Sequence, residues 1–66
     1  MDSLGQIIKR RRMELGITQQ TLALLAGIGI NTLVAIERGK LSVSLSTLMK
    51  VLDCLGLEMN LKIKER

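Results

Sequence analysis

Four apolar segments with helical spacing, each followed by a glycine, constrain the fold of this 66-residue chain most strongly. In each segment the apolar residues recur every three or four positions, which is typical of a helix that places one face against a core. A glycine directly after such a segment favours the left-handed turn that ends many helices. The sequence therefore predicts an all-α fold with helices over about residues 4–15, 19–26, 30–38 and 45–55, followed by Gly16, Gly27, Gly39 and Gly56.

Hydroxyl side chains precede three of these segments. Ser3, Thr18 and Ser44 each stand where an N-cap oxygen would accept a hydrogen bond from the first turn of a helix.

A chain of this length buries only about 60% of its unfolded surface, so a single small core is expected.

Missing residue types exclude several kinds of chemistry. The chain has no His, so the commonest general base and metal ligand is absent. Cys54 is the only cysteine, which excludes an intramolecular disulfide and a Cys/His zinc cluster and favours a small buried side chain in a reducing cytosol. The chain also lacks Phe, Tyr and Trp, the stacking platforms for single-stranded nucleic acid, whereas duplex recognition does not need them. We expect a binding protein with no catalytic residues, metal or cofactor.

The charge balance indicates an anionic partner. Ten Lys and Arg against six Asp and Glu give a net charge of +4 and an isoelectric point near 9.9. This balance favours a polyanion, although an acidic protein would also fit. No apolar run approaches the roughly 20 residues of a membrane span, and the first residues lack the basic start of a signal peptide. A cytoplasmic protein is therefore expected.

The last part of the chain changes from helical to alternating spacing. This period of two is typical of a half-buried strand, and its apolar positions are Leu57, Met59, Leu61 and Ile63. No second strand is predicted, so the strand would join a partner's sheet or pair with its own symmetry copy. The alternative is a frayed tail. We predict a domain over 1–56 and a dimerisation strand and tail over 57–66.

Residues 19–38 have the spacing of a helix-turn-helix. Ala23 is small where two backbones must approach closely, and Gly27 lies where the chain reverses. Leu33 and Ile36 would pack the next helix inward. These positions build a scaffold, so any binding function would lie on the opposite face of the third helix.

The wider region resembles the Xre/Cro-type helix-turn-helix family over residues 4–56, because it adds Leu4-Gly5, Gly16-Ile17-Thr18-Gln19 and Glu37-Arg38-Gly39-Lys40. The resemblance implies a four-helix lambda-repressor-like domain whose third helix enters the major groove of double-stranded DNA. It also implies that the start of the second helix meets a phosphate. By matching position the DNA-binding residues would be Gln19, Gly29, Ile30, Asn31, Thr32, Ala35, Lys40, Ser42 and Ser44. A partly buried structural ion pair is implied for Arg12 and Glu37.

The expected DNA face is less polar than is usual in the family. Asn31 and Gln19 have amides that can pair with adenine, and Ile30 and Ala35 can pack on thymine methyl groups, which predicts an operator that favours A·T pairs. The apolar residues also leave open a protein-only adaptor with weak DNA binding.

Two later segments, Ser46-Thr47-Leu48-Met49-Lys50 and Leu55-Gly56-Leu57-Glu58-Met59-Asn60-Leu61, resemble the HipB-type antitoxin branch. This resemblance implies a homodimer joined through the C-terminal strand, repression of its own operon and a HipA-like kinase toxin as partner. The two-fold symmetry of such a homodimer predicts an inverted-repeat operator. A phage-type or free-standing Xre repressor is the alternative.

Overall fold

A computed structural model of the protein describes residues 3–40 and 42–60. These residues form four helices: α1 (Leu4–Glu14), α2 (Gln19–Ala26), α3 (Ile30–Glu37) and α4 (Leu45–Cys54). The predicted all-α fold is confirmed, and each helix begins and ends within one residue of the expected position.

The predicted hydroxyl caps are confirmed at three helix starts. Ser3 Oγ accepts a hydrogen bond from the backbone N–H of Gln6 at 3.3 Å, and the Gln6 side chain accepts from the Ser3 N–H at 2.9 Å. The starts of α2 and α4 are alike: Thr18 Oγ1 accepts from the Thr21 N–H, and Ser44 Oγ accepts from the Thr47 N–H, both at 3.1 Å. These bonds satisfy backbone donors that have no partner inside the helix.

All four described helices end in the same pair of backbone hydrogen bonds around a glycine with positive φ. After α4, the N–H of Gly56 donates to the Asp53 carbonyl at 3.1 Å and the N–H of Leu57 donates to the Leu52 carbonyl at 2.9 Å. This is the Schellman motif, in which an apolar residue after the glycine commonly packs back on the helix. The residues that follow Gly16, Gly27 and Gly56 pack against the buried core, namely Ile17, Ile28 and Leu57.

The strand prediction is wrong for the start of the tail, as the position of Leu57 shows. The alternating pattern placed Leu57 and Met59 in a strand, but residues 57–60 form no strand in the structure. The reason is the turn at Gly56 (φ +68°), which returns the chain so that Leu57 contacts the core of the same chain. Met59 remains 39% exposed, and the other two residues of the pattern, Leu61 and Ile63, lie outside the described residues.

One buried cluster joins the helices. α2 packs against both α3 and α4, while α1 packs against α3. α1 lies close to the end of α3 at Gly5, where an added Cβ would lie 2.8 Å from the Glu37 carbonyl oxygen and still closer to that of Ile36. The core residues are Ile8, Leu22, Ala23, Ala26, Leu33, Ile36, Val51, Leu52 and Leu55.

Within residues 3–40 and 42–60, no single helix is long and apolar enough to cross a membrane. α2 and α3 reach the required length and composition only as a pair, which is bent by 115°. Cys54 packs against the core, as expected, but its free thiol belongs to a half-buried residue and not to a fully buried one.

Candidate nucleic-acid interface

The outer face of α3 and the loop before α4 form one open depression of about 410 Å³. Val43 and Thr47 contribute to its lining, and none of the described residues that line it is acidic. The depression brings together six of the nine predicted DNA-binding residues: Asn31, Thr32, Ala35, Lys40, Ser42 and Ser44. Its composition suits an anionic, hydrogen-bonding ligand.

Two further predicted residues lie at the start of α3. Gly29 is the N-cap, and its carbonyl accepts hydrogen bonds from the N–H groups of Thr32 and Leu33 at 3.1 and 3.2 Å. Ile30 is the first helical residue, and its side chain is 40% exposed. This is the end of a recognition helix that meets base edges in helix-turn-helix complexes.

The buried faces of α3 hold it in place. Leu33 and Ile36 are almost fully buried in the core. The last residue, Glu37, is also buried, and its carboxylate receives Arg12 of α1 through two hydrogen bonds, from Nε to Oε2 at 2.8 Å and from Nη2 to Oε1 at 3.2 Å. The side chains of Arg12 and Glu37 are only 11% and 3% exposed. The predicted pair thus joins α1 to the end of α3.

Gln19 takes part in this network and does not line the depression. It is the first residue of α2, and its side-chain Nε2 donates to Glu37 Oε1 at 3.1 Å. Sequence reasoning missed this contact because nothing in local spacing relates a residue to another 18 positions away. Arg12 also donates from Nη1 to the Ile17 carbonyl at 2.9 Å. The Arg12–Glu37 pair therefore links three parts of the fold: α1, α3 and the loop that precedes α2.

Arg11 has a role that the sequence analysis did not identify. Its Nε donates to the Leu55 carbonyl at the end of α4 at 2.9 Å. A cation at this position neutralises carbonyls that have no helical partner and is favoured by the helix dipole. Consecutive arginines of α1 therefore contact the ends of two different helices. The only sequence signal is the run of basic residues Lys9-Arg10-Arg11-Arg12, which gives no indication of their partners.

Lys40 differs from the residues that follow the other three helix-ending glycines of the described chain. The N–H of Gly39 donates to the Ile36 carbonyl and that of Lys40 donates to the Ala35 carbonyl, both at 3.0 Å, so the backbone forms the same motif. The Lys40 side chain is exposed and lines the depression, whereas Ile17, Ile28 and Leu57 pack on the core. The charge at this turn is therefore not required by the helix end.

An exposed apolar pair on α2 lies outside the predicted site. Leu24 is 81% exposed and Leu25 is 63% exposed, whereas Leu22 and Ala26 of the same helix are buried. The eight-residue helix presents only one narrow face to the core, and Leu22, Ala23 and Ala26 occupy it.

Comparison with known proteins defines the family. A helix-turn-helix family model matches residues 8–61, so the chain belongs to the helix-turn-helix family. An uncharacterized HTH-type transcriptional regulator of Methanothermobacter thermautotrophicus is 38% identical over 52 residues, which cover 79% of this chain and 75% of that protein. The restriction-modification controller protein C.AhdI from Aeromonas hydrophila has a similar structure, with a TM-score of 0.75, 35% identity and 82% of each chain covered. The narrower likeness to the HipB branch remains a hypothesis.

Proposed function

We propose that the chain is a sequence-specific transcriptional regulator that binds double-stranded DNA through the outer face of α3 and the loop after it. The single observation that supports this most strongly is the depression in which Asn31, Thr32 and Ala35 lie beside Lys40 and the two loop serines. Membership of the helix-turn-helix family gives that face its expected partner. In this arrangement Asn31 would read a base edge, while Lys40 and the serines would contact phosphates.

Titration of labelled duplex DNA at two salt concentrations tests the proposal. With roughly six phosphate contacts shared over a dimer, affinity should fall by about three decades between 50 and 200 mM salt. Lys40→Ala should weaken binding to all sequences alike, because it removes a phosphate contact. Lys9→Ala, on the exposed side of α1, is the matched control and should leave the affinity nearly unchanged. A flat salt response would favour the protein-only adaptor, for which the exposed Leu24 and Leu25 offer an apolar contact surface.

A homodimer is part of the proposal. Two recognition helices related by a two-fold axis can meet successive major grooves about 34 Å apart, so the operator would be an inverted repeat with half-sites roughly ten base pairs apart or a multiple of that. The exposed side chain of Met59 is the described residue of the tail that suits such an interface. The division into a DNA-binding domain and a dimerisation tail belongs to the same proposal.

Sedimentation of a Met59→Asp variant tests the dimer. The wild-type chain should sediment as a dimer and the variant as a monomer with unchanged helical content, whereas Glu58→Ala should leave the dimer intact. If the Met59 variant remains dimeric, another surface forms the interface. Truncation after Gly56 is a poorer test, because it also removes the core contact of Leu57.

The genes that this regulator controls are of one of three candidate types. The structural likeness to C.AhdI favours control of restriction-modification genes. The alternative, an antitoxin that represses the operon of a HipA-like kinase toxin, is based on the resemblance of residues 46–50 and 55–61. In those segments Leu48, Leu55 and Leu57 contact the core, so their spacing has a structural explanation without a toxin. The neighbouring reading frame distinguishes an endonuclease or methyltransferase gene from a kinase gene, and a phage integrase would indicate a phage-type repressor.

A further inference from the structure

The outer face of α1 lines a second open depression, of about 490 Å³, which shares none of its described lining residues with the DNA-binding depression. We propose that this face binds an acidic, amphipathic peptide segment of a protein partner, and that it does so independently of DNA. The described residues of its lining all belong to α1, namely Gln6, Lys9, Arg10, Met13 and Glu14.

Three of these residues form one stripe on the side of α1 that faces solvent. Gly5 and Ile8 are the buried residues of the helix, which packs against α3. Gln6, Lys9 and Met13 are exposed, and they follow one another after three and four positions, which makes them neighbours on a helix surface. This α1 stripe is therefore a surface that the core of the domain does not use.

The polar groups of the α1 stripe are hydrogen-bond donors. Gln6 Oε1 already accepts from the Ser3 N–H at 2.9 Å, so the side chain of Gln6 offers its nitrogen to a ligand. The ammonium group of Lys9 can only donate, and no acidic residue within 3–40 and 42–60 forms an ion pair with it. The nearby Glu14 is paired with Arg11 at 3.6 Å. A ligand that satisfies this stripe must supply negatively charged acceptors.

Met13 favours a protein over a phosphate backbone as the source of those acceptors. Its side chain is apolar and 62% exposed, and it lies beside Lys9 in the stripe. Methionine is flexible and polarisable and adapts to irregular partner surfaces, and the lysine stem adds apolar surface next to it. A phosphate backbone has no apolar side chain to cover a thioether. An amphipathic peptide supplies a carboxylate and an apolar side chain together.

The charge of the chain favours an acidic partner over a second copy. Each chain carries a net charge of +4, so two copies repel each other before they meet. Two α1 stripes packed together would also place donors against donors, because neither Gln6 nor Lys9 supplies a carboxylate. An acidic segment has the opposite charge, which accelerates association and determines how the two surfaces align.

Selection of peptides from a randomised phage-displayed library on the immobilised wild-type chain tests the proposal in the absence of DNA. We expect the enriched peptides to combine two or more Asp or Glu residues with an apolar residue between or beside them. Enrichment of peptides without acidic residues, or no enrichment, would overturn the proposal. Because no duplex is present, this result does not depend on the proposed function.

An enriched peptide, synthesised as a probe, then locates the contact. Lys9→Glu should weaken its binding by about tenfold or more, because it places like charges together. Met13→Ala should weaken it by about tenfold through lost apolar burial. The matched controls are Lys50→Glu on α4 and Leu24→Ala on α2, both at exposed positions, and they should leave the affinity nearly unchanged. Circular dichroism checks that each variant keeps its helical content.

Equal losses for Lys9→Glu and Lys50→Glu would show that only net charge matters and would overturn the proposal. A loss confined to Lys40→Ala would overturn it as well, because the peptide would then occupy the DNA-binding depression.

Two further measurements on Lys9→Glu distinguish the other possible occupants. Its affinity for duplex DNA should change no more than that of Lys50→Glu, and its sedimentation should match that of the wild-type chain. A larger loss of DNA affinity would show that the α1 stripe contacts phosphates. Dissociation of an oligomer would show that a second copy covers it. Either result would contradict the proposal.

Discussion

The ends of α3 and α4 have the same backbone and different side chains. Each helix is followed by a glycine with positive φ and by the same pair of backbone hydrogen bonds. Each is also held by an arginine of α1, through the Glu37 side chain in α3 and the Leu55 carbonyl in α4. After the glycine, however, α4 continues with Leu57 on the core, whereas α3 continues with the exposed Lys40.

This difference separates the residues that form the fold from those available for function. A Schellman turn needs the glycine and its two hydrogen bonds, and an apolar residue after it adds stability. Leu57 makes that addition, while Lys40 places a positive charge beside Asn31 and the loop serines instead. We interpret the end of α4 as structural and the end of α3 as structural on its inner side and functional on its outer side.

The largest expected effect is on the inner side of the α3 end. Glu37→Ala leaves the buried Arg12 without its charge partner and should lower the free energy of unfolding by about 3 to 5 kcal/mol. Glu14→Ala is the matched control, because its ion pair with Arg11 is 57% exposed on the glutamate side and is worth about 0 to 1 kcal/mol. Urea denaturation measures both. Equal losses would show that burial does not strengthen the Arg12–Glu37 pair.

The next effect tests the end of α4. Leu57→Lys places at this turn the residue type found after α3, and it should lower the free energy of unfolding by about 1 to 2 kcal/mol through lost apolar burial. Thermal and urea unfolding provide the measurement. A variant as stable as the wild type would mean that the core contact of Leu57 contributes nothing and would remove the contrast between the two helix ends.

Sequence patterns predicted the helices well because their signals are local. Ser3, Thr18 and Ser44 act within one turn, and the glycines act through their own backbone angles. Contacts across the fold were not predictable in the same way: Arg11 and Leu55 are 44 residues apart, and the charge of Arg11 is compatible with solvent, phosphate or a helix end. The alternation from Leu57 onward resembled a strand because a two-residue period over so few positions does not distinguish a strand from a turn that folds back.

The candidate site was predictable only as far as the family resemblance extended. That resemblance selected Asn31, Thr32, Ala35 and the loop residues, and the structure brings them into one depression. Sequence spacing alone gave no reason to expect Gln19 outside this depression. Gln19 instead donates a hydrogen bond to the buried Glu37 carboxylate, which also accepts from Arg12 of α1.

Base preference should change when the outer face of α3 loses its one amide. Asn31→Ala should reduce discrimination at one base pair of each half-site by about 1 to 3 kcal/mol, without loss of folding stability. Binding to a panel of single-base operator variants measures the change. If affinity falls equally for every variant, Asn31 contacts the backbone and does not read a base.

The smallest expected effect is that of a Lys40 substitution. It is the reverse of Leu57→Lys, because it gives the end of α3 the residue type found after α4. Lys40→Leu gives α3 the residue type that follows α4, so stability should be equal to the wild type or slightly higher. DNA affinity should fall by about tenfold on all sequences, and the slope of log affinity against log salt should decrease by about one for each lost phosphate contact. Unchanged affinity and slope would show that this charge does not face DNA.

The most direct test of the account is a map of backbone amide resonances during titration with a duplex selected from a randomised pool. We expect the largest shifts at residues 29–35, at Lys40 and Ser42–Ser44, with a second group at the start of α2 and little change on the exposed side of α1. Shifts centred on Leu24 and Leu25, or no shifts at 50 mM salt, would contradict the central claim that the outer face of α3 and the loop after it bind double-stranded DNA.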